Sequence, residues 1–226
     1  MYRTVALLPI KAHSERLPNK NFRCLAGKPL FQWILSSLLS VKDIDVVVIN
    51  TDARDELRAH GLEEQPRIVI RDRRMDLCGD FVSMNHVLRD DVDAVHADEY
   101  VMTHATNPLI SASTIKRALE AYRSRKAGVD SLFSVNKVQK RFYRRDLSAI
   151  NHDPDELVRT QDLELWYEEN SCLYIFGRES FQSEGRRIGT TPMIFETPVP
   201  ESVDIDDYDD WYIAESLLER RISGAQ

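Results

Sequence analysis

Four short runs of continuous apolar residues, 5–8, 46–49, 68–70 and 100–102, restrict this chain to few folds. Each has strand length, and none alternates apolar with polar. That is the pattern of strands covered on both faces, as in a parallel sheet. Helix-like segments lie between them. Phe31, Ile34, Leu35 and Leu38 recur at helical spacing behind Pro29, a residue suited to a helix's first turn. Residues 54–60 read as a short helix, and Ser111 or Ser113 is placed to cap a helix through Ile115, Leu119 and Tyr122. This βαβα order predicts an α/β fold, a Rossmann-like doubly wound, mostly parallel sheet.

Residues 129–135 and 172–176 read as further strands. Between them the rhythm breaks. Residues 138–168 hold VQKRFYRRDL, an acidic INHDPDEL and the pair Trp166–Tyr167, and are expected to leave the main domain as an arm or a dimer contact. The chain closes with ESVDIDDYDDWYIAESLLERR, a strand-loop followed by a helix over about 208–221. There are no internal repeats or linkers, so residues 1–226 are expected to form one domain.

Composition narrows the function classes. The net charge of −7 argues against nonspecific binding to nucleic acid or anionic membranes. No apolar stretch approaches the roughly 20 residues of a membrane span. Residues 5–8 are too short for a signal-peptide core, and Pro9 ends them. Cys24, Cys78 and Cys172 are scattered, without CxxC spacing, and are expected to be small core residues of a protein in a reducing cytoplasm.

Against this acidic background stands a basic loop. Residues 10–30, IKAHSERLPNKNFRCLAGKPL, carry Lys11, Arg16, Lys20, Arg23 and Lys28 against one acid, Glu15. The loop follows the first predicted strand and precedes the first predicted helix, where α/β sheets bind anions. Neither GxxxxGK[ST] nor GxGxxG is present, so this is not a generic ATPase or dinucleotide loop. Two readings stand on composition: a solvated surface loop, or a phosphate cradle of Ser14, Arg16, Lys20, the rigid Pro18 and backbone amides.

The pattern LLPIKAHSERLPNKNFRCLAGKPL resembles the N-terminal signature of the sugar-acid cytidylyltransferases of the CMP-sialic acid synthetase type. Ser14, Leu17, Pro18, Lys20, Asn21, Leu25, Gly27, Pro29 and Leu30 match it. Lys11 stands where that family has Arg, and Glu15-Arg16 where it commonly has Lys-Gly. The Kdo-activating relatives have Ser-x-Arg-Leu-Pro-x-Lys, which Ser14, Arg16, Leu17, Pro18 and Lys20 match. Asn50-Thr51-Asp52 resembles the family's Ser-Thr-Asp turn, and LCGD at 77–80 its Leu-Ala-x-Asp segment before a helix. MTHATNPL at 102–109 resembles Leu-Gln-Pro-Thr-Ser-Pro-Leu, NSCLYI at 170–175 resembles Asn-Gly-Ala-Ile-Tyr-Ile, and SVDID at 202–206 resembles Ser-Ile-Asp-Ile-Asp. The matches span nearly the whole chain in order.

The resemblance implies a nucleotidyltransferase fold, a homodimer, and CTP as donor to a small anionic acceptor. A sialic-acid-like sugar acid is the first choice of acceptor and a phosphonate the second; a noncatalytic nucleotide-binding relative is the rival of another class. It implies that Lys11, Ser14, Arg16, Lys20, Asn21, Arg71 and Asp80 bind nucleotide, with Lys20, Arg16 and Asp204 catalytic. His104, Asn170 and Gln161 are expected at the acceptor. His104 replaces the family's Gln, and its imidazole is expected to donate a hydrogen bond or carry charge. Asp204 and Asp206 are spaced to share one face of an extended segment, so they either hold Mg²⁺ with the nucleotide phosphates or belong to an acidic helix cap with Asp207, Asp209 and Asp210. Asp80 has a helix-cap alternative, and Lys140, Arg141, Arg144 and Arg145 read as a solvated patch or as acceptor contacts across a dimer.

Overall fold

A computed structural model of the chain describes residues 2–156 and 158–224. Its strands are β1 (Tyr2–Leu7), β2 (Cys24–Leu25), β3 (Lys28–Pro29), β4 (Val46–Thr51), β5 (Ile68–Asp72), β6 (Ala97–Met102), β7 (Ser131–Val138), β8 (Trp166–Gly177) and β9 (Pro192–Glu196). Its helices are α1 (Leu30–Ser40), α2 (Arg54–Ala59), α3 (Met84–Ala94), α4 (Ala112–Arg123), α5 (Arg178–Glu184) and α6 (Tyr208–Ser223). Seven strands form one sheet in the order β5-β4-β1-β6-β8-β7-β9. β5, β4, β1 and β6 are parallel, β8 runs antiparallel to both its neighbours, and β9 is parallel to β7.

The predicted apolar runs lie in the four parallel strands. All six residues of β4 are buried, as a strand with helices on both sides requires. On one face, Phe31, Ile34 and Leu38 of α1 and Ile115 and Leu119 of α4 pack with Ala6, Leu8 and Val47. On the other, Leu88 and Val92 of α3 and Phe181 of α5 pack with Val5, Leu7 and Tyr100. A third cluster seats α6 against the basic loop through Leu17, Leu25, Ile205, Trp211 and Leu218. The loop is therefore pinned at its apolar positions, Leu17 and Leu25 being fully buried, while Arg16 and Arg23 stay exposed and Lys20 turns inward.

Several expectations change. Pro29 sits at the N-cap of α1, one residue before its first turn. Ser111 caps α4, its Oγ accepting from Thr114 N at 3.1 Å. β7 runs on to Val138 and β8 begins at Trp166, and these two residues pair. The excursion thus shortens to residues 139–165, the far end of a long hairpin, and Trp166–Tyr167 belong to the sheet. Strand β9 and helix α5 were not anticipated. Of the cysteines only Cys172 is buried, while Cys24 is exposed.

Candidate active site

The chain leaves β1 for β4 and β5 on one side, then returns to β6 on the other. The carboxyl ends of β1 and β6 therefore flank the topological switch point, where open α/β sheets bind ligands. A cleft of about 320 Å³ opens there. Behind β1 it is lined by Pro9, Lys11, Ser14, Glu15, Arg16, Lys20 and Asn21; behind β5 by Arg73, Asp80 and Met84; behind β6 by His104, Ala105 and Thr106; and before α6 by Asp206.

Lys20 begins a short 3-10 turn (Lys20–Phe22) behind Asn19, whose left-handed backbone has φ 56°. Lys20 is 8% exposed, and its ammonium donates to the Ile205 carbonyl and lies 3.5 Å from Asp206 Oδ1. Burial lowers the Lys20 pKa from its usual value, against the upward pull of the Asp206 and Asp204 carboxylates. Arg16 is largely exposed and holds the same Asp206 oxygen at 2.9 Å. Lys11 Nζ pairs with Asp80 Oδ1 at 2.6 Å, which holds the Asp80 carboxyl below its usual range. Asp80 is turned toward Lys11 directly after Gly79, whose φ of +111° is a conformation side chains rarely adopt. It is not a helix cap, since Ser83 occupies the N-cap of α3. Asn21 Nδ2 donates to the Lys11 carbonyl at 2.9 Å, while its buried Oδ1 has no partner. Ser14 is buried in the cleft wall.

The two readings of the acidic run divide between its members. Asp207 is the N-cap of α6 and forms a capping box with Asp210. Asp204 and Asp206 lie outside that box. Burial raises the Asp204 carboxyl above its usual range, with Asp206 adding to the rise and Thr106 and Lys20 opposing it. Asp204 Oδ1 is buried without a hydrogen-bond partner, an orphan of the kind a cation satisfies. Among the described residues no group of three or more His, Cys, Asp or Glu side chains is placed to hold a metal. The donor set is thus two carboxylates, which fits Mg²⁺ taking its other ligands from phosphates and water.

His104 lies at the cleft floor, its ring edge-on to Tyr174 with centroids 6.5 Å apart. Burial, helped by the Arg187 and Lys20 cations, pushes its pKa down to about 3. This burial and these cations favour the neutral imidazole over the charged form. The adjacent cation is Arg187, stacked on Tyr174 at 3.9 Å and donating to its hydroxyl at 3.0 Å.

Four expected residues do not line the cleft: Asp204, Arg71, Asn170 and Gln161. Arg71 lies inside β5 and is tied to Asp90 at 2.9 Å and to the buried Asp91. The arginine of this segment that lines the cleft is Arg73, just past the end of β5. The signal was available, because ligand-binding residues of parallel sheets follow the strand's carboxyl end. Asn170 lies within β8, its side chain buried against β7 and Thr197. Its Oδ1 accepts from Ser134 at 2.6 Å, and its Nδ2 donates to Thr197 at 2.6 Å and Asn136 at 3.0 Å, leaving no donor for a ligand. Gln161 is exposed in a 3-10 turn of the excursion.

The chain matches the cytidylyltransferase family model over residues 5–215. It is 29% identical to the CMP-N,N'-diacetyllegionaminic acid synthase of Legionella pneumophila, over 96% of this chain and 97% of that one. It is 27% identical to an N-acylneuraminate cytidylyltransferase of Streptococcus agalactiae over 92% of this chain, and spans about half, 51%, of that longer protein. The fold superposes on a CMP:2-keto-3-deoxy-manno-octonic acid synthetase solved with CTP at a TM-score of 0.67 and 16% identity, covering 97% of this chain and 99% of that one. With its cationic switch-point cleft and a family match across nearly its whole length, the chain belongs to the cytidylyltransferases.

Proposed function

We propose that the protein transfers CMP from CTP to a small anionic acceptor, a sialic-acid-like sugar acid in first place, and releases pyrophosphate. The observation that carries this reading is the convergence of Lys11, Arg16, Lys20 and Arg73 on one cleft at the ends of β1 and β5, facing Asp206. Four cations suit a triphosphate, and positioning with charge neutralisation supplies most of the catalysis of such transfers. Lys11 and Arg16 rest on Asp80 and Asp206. A triphosphate draws both cations to itself and frees the two carboxylates. Asp204 and Asp206 would then hold Mg²⁺, which neutralises phosphate charge when bound. The acceptor oxygen displaces pyrophosphate in line at the α-phosphorus. Lys20, held by the Ile205 carbonyl, keeps a positive charge where negative charge grows on the leaving pyrophosphate.

The acceptor approaches over His104, whose neutral ring offers a hydrogen bond and no charge. A phosphonate remains the second reading, favoured by the Arg187 cation next to that ring. The protein works as a homodimer in this account. The excursion exposes Tyr143, Leu147, Ile150 and Val158, an apolar set suited to a partner surface. A cytoplasmic location is in keeping with such an enzyme, and among the described residues no helix is long and apolar enough to cross a membrane.

The test is pyrophosphate release from CTP and Mg²⁺ across a panel of N-acetylneuraminic, legionaminic, pseudaminic and 2-keto-3-deoxy-manno-octonic acids and a small phosphonate. Release with a sugar acid supports the first reading, and release with the phosphonate alone selects the second. Release with none, from protein that binds CTP, points to a noncatalytic relative.

A further inference from the structure

Arg73 is the cleft cation whose support is most elaborate. Its backbone N donates to the Thr51 carbonyl at 2.7 Å. Its Nε donates to Asn50 Oδ1 at 2.8 Å and its Nη2 to the Asn50 carbonyl at 2.9 Å. One residue thus grips one edge of the guanidinium at two points, and Nη1 makes no hydrogen bond among the described residues. Asn50 is fully buried at the end of β4, and its Nδ2 donates to Asp91 Oδ1 at 2.8 Å. Asp91, also fully buried, projects from α3 and is paired with Arg71, which binds Asp90 as well.

The order of these bonds matters. An asparagine amide can present either its oxygen or its nitrogen to a neighbour. Only the oxygen can accept from an arginine. An ionised carboxylate accepts and cannot donate, so Asp91 claims the Nδ2 and turns Oδ1 toward Arg73. The charge on Asp91 therefore selects the amide orientation that Arg73 requires.

This arrangement is costly to keep for stability alone. Burial pushes the Asp91 carboxyl up to about 6, and one of its oxygens, Oδ2, has no partner. Buried ion pairs can often be replaced by apolar residues with no loss of stability. A polar chain running from α3 through the end of β4 into the cleft calls for a role in the cleft.

We infer that Asn50 and Asp91 are positioning residues, forming a buried relay that holds the Arg73 guanidinium in the cleft for a nucleotide phosphate. The inference rests on the reading that the cleft takes CTP, and it adds two fully buried residues that do not line the cleft. The competing role is a plain staple between α3 and the sheet.

A double-mutant cycle separates the two. CTP is titrated calorimetrically, with Mg²⁺ present, into wild type, Asn50→Ala, Arg73→Gln and the double variant. Arg73→Gln weakens CTP by about tenfold or more, the loss of one charge-assisted contact. Asn50→Ala alone weakens it by a smaller factor, about three- to tenfold. The double variant is no weaker than Arg73→Gln, because there is no guanidinium left to position. Full additivity, or an Asn50→Ala protein with lower melting temperature and unchanged CTP affinity, overturns the relay in favour of the staple. Should Asn50→Ala not fold, Asp91→Asn keeps the volume and frees the Asn50 amide to turn. It must then weaken CTP in the wild-type background, leave acceptor KM unchanged, and have no effect on CTP beside Arg73→Gln. If Arg73→Gln itself leaves CTP binding intact, the relay falls while the cytidylyl reading stands. If wild type binds no CTP, both fall.

Discussion

Replacing Lys20 by methionine separates the chemistry of the cleft from its folding. The aliphatic stem is kept, so packing of the loop against α6 changes little. Two consequences follow from the contacts. For stability, the Ile205 carbonyl loses its donor and Asp206 loses its partner at 3.5 Å, though Asp206 keeps Arg16 at 2.9 Å. An unsatisfied buried carbonyl costs about 1–3 kcal/mol. Burial also disfavours the charged ammonium, so its removal recovers part of that cost. The net loss is about 1–2 kcal/mol, or roughly 2–8 °C in Tm for a domain of this size. For catalysis, a charge-assisted phosphate contact contributes about 1.5–3 kcal/mol, and at 1.4 kcal/mol per decade kcat/KM for CTP falls by about 10- to 150-fold. Pyrophosphate release against CTP concentration measures the second quantity and thermal melting the first. A Lys20→Met protein that melts as expected, with kcat/KM within about threefold of wild type, would show that the ammonium holds the loop and not the phosphate.

Asp204→Asn and Asp206→Asn should each raise the Mg²⁺ concentration for half-maximal rate by about tenfold, whereas Asp209→Asn, outside the cleft, changes it little; equal effects from all three would return the pair to the helix cap. His104→Gln exchanges one neutral group for another, so CTP affinity should hold while relative kcat/KM among acceptors shifts. Because the His104 pKa lies at about 3, acceptor KM should also lack any His104-dependent step between about pH 5.5 and 8, and a step that vanishes in His104→Gln would contradict its neutrality. Asp91, raised to about 6, binds its proton more tightly folded than unfolded, so its penalty is present above pH 6 and fades as pH falls toward the unfolded value. Wild type should therefore gain about 2 kcal/mol relative to Asp91→Asn between pH 7 and 4.5 in denaturant titrations, and a gain in the opposite direction would place the Asp91 pKa below its ordinary value.

The parallel half of the fold was legible because it depends on few residues. Continuous apolar runs mark doubly covered strands, and each predicted run lies in β1, β4, β5 or β6. The antiparallel half was harder to see. β9 begins at Pro192, lies at the sheet edge and alternates exposed with half-buried residues, so it lacks the continuous apolar signature. β8 starts in mostly exposed residues, Trp166 to Glu169, because its first half pairs only with β7, next to the excursion. In the site, Lys11, Arg16, Lys20, Asp80, His104 and Asp206 came to one cleft from four separate segments. The choice between Arg71 and Arg73 was lost because both follow the same apolar run, and only the strand's end decides which enters the cleft. Asn170 was misread for another reason: a motif asparagine looks like a ligand group until its four hydrogen bonds to the protein and the pairing of β7 with β8 are known. The neutrality of His104 depends on burial and on Arg187, more than eighty positions away, which no local pattern reveals.

The central claim is that the cleft between the ends of β1 and β6 is built for CTP. Its most direct test is calorimetric titration of the wild-type protein with CTP, UTP, ATP and GTP in the presence of Mg²⁺, repeated with Arg16→Gln. The account predicts that CTP binds at least about tenfold more tightly than either purine nucleotide, and that Arg16→Gln weakens CTP by about tenfold or more. Equal affinity for ATP or GTP, or a CTP affinity indifferent to Arg16, would contradict it.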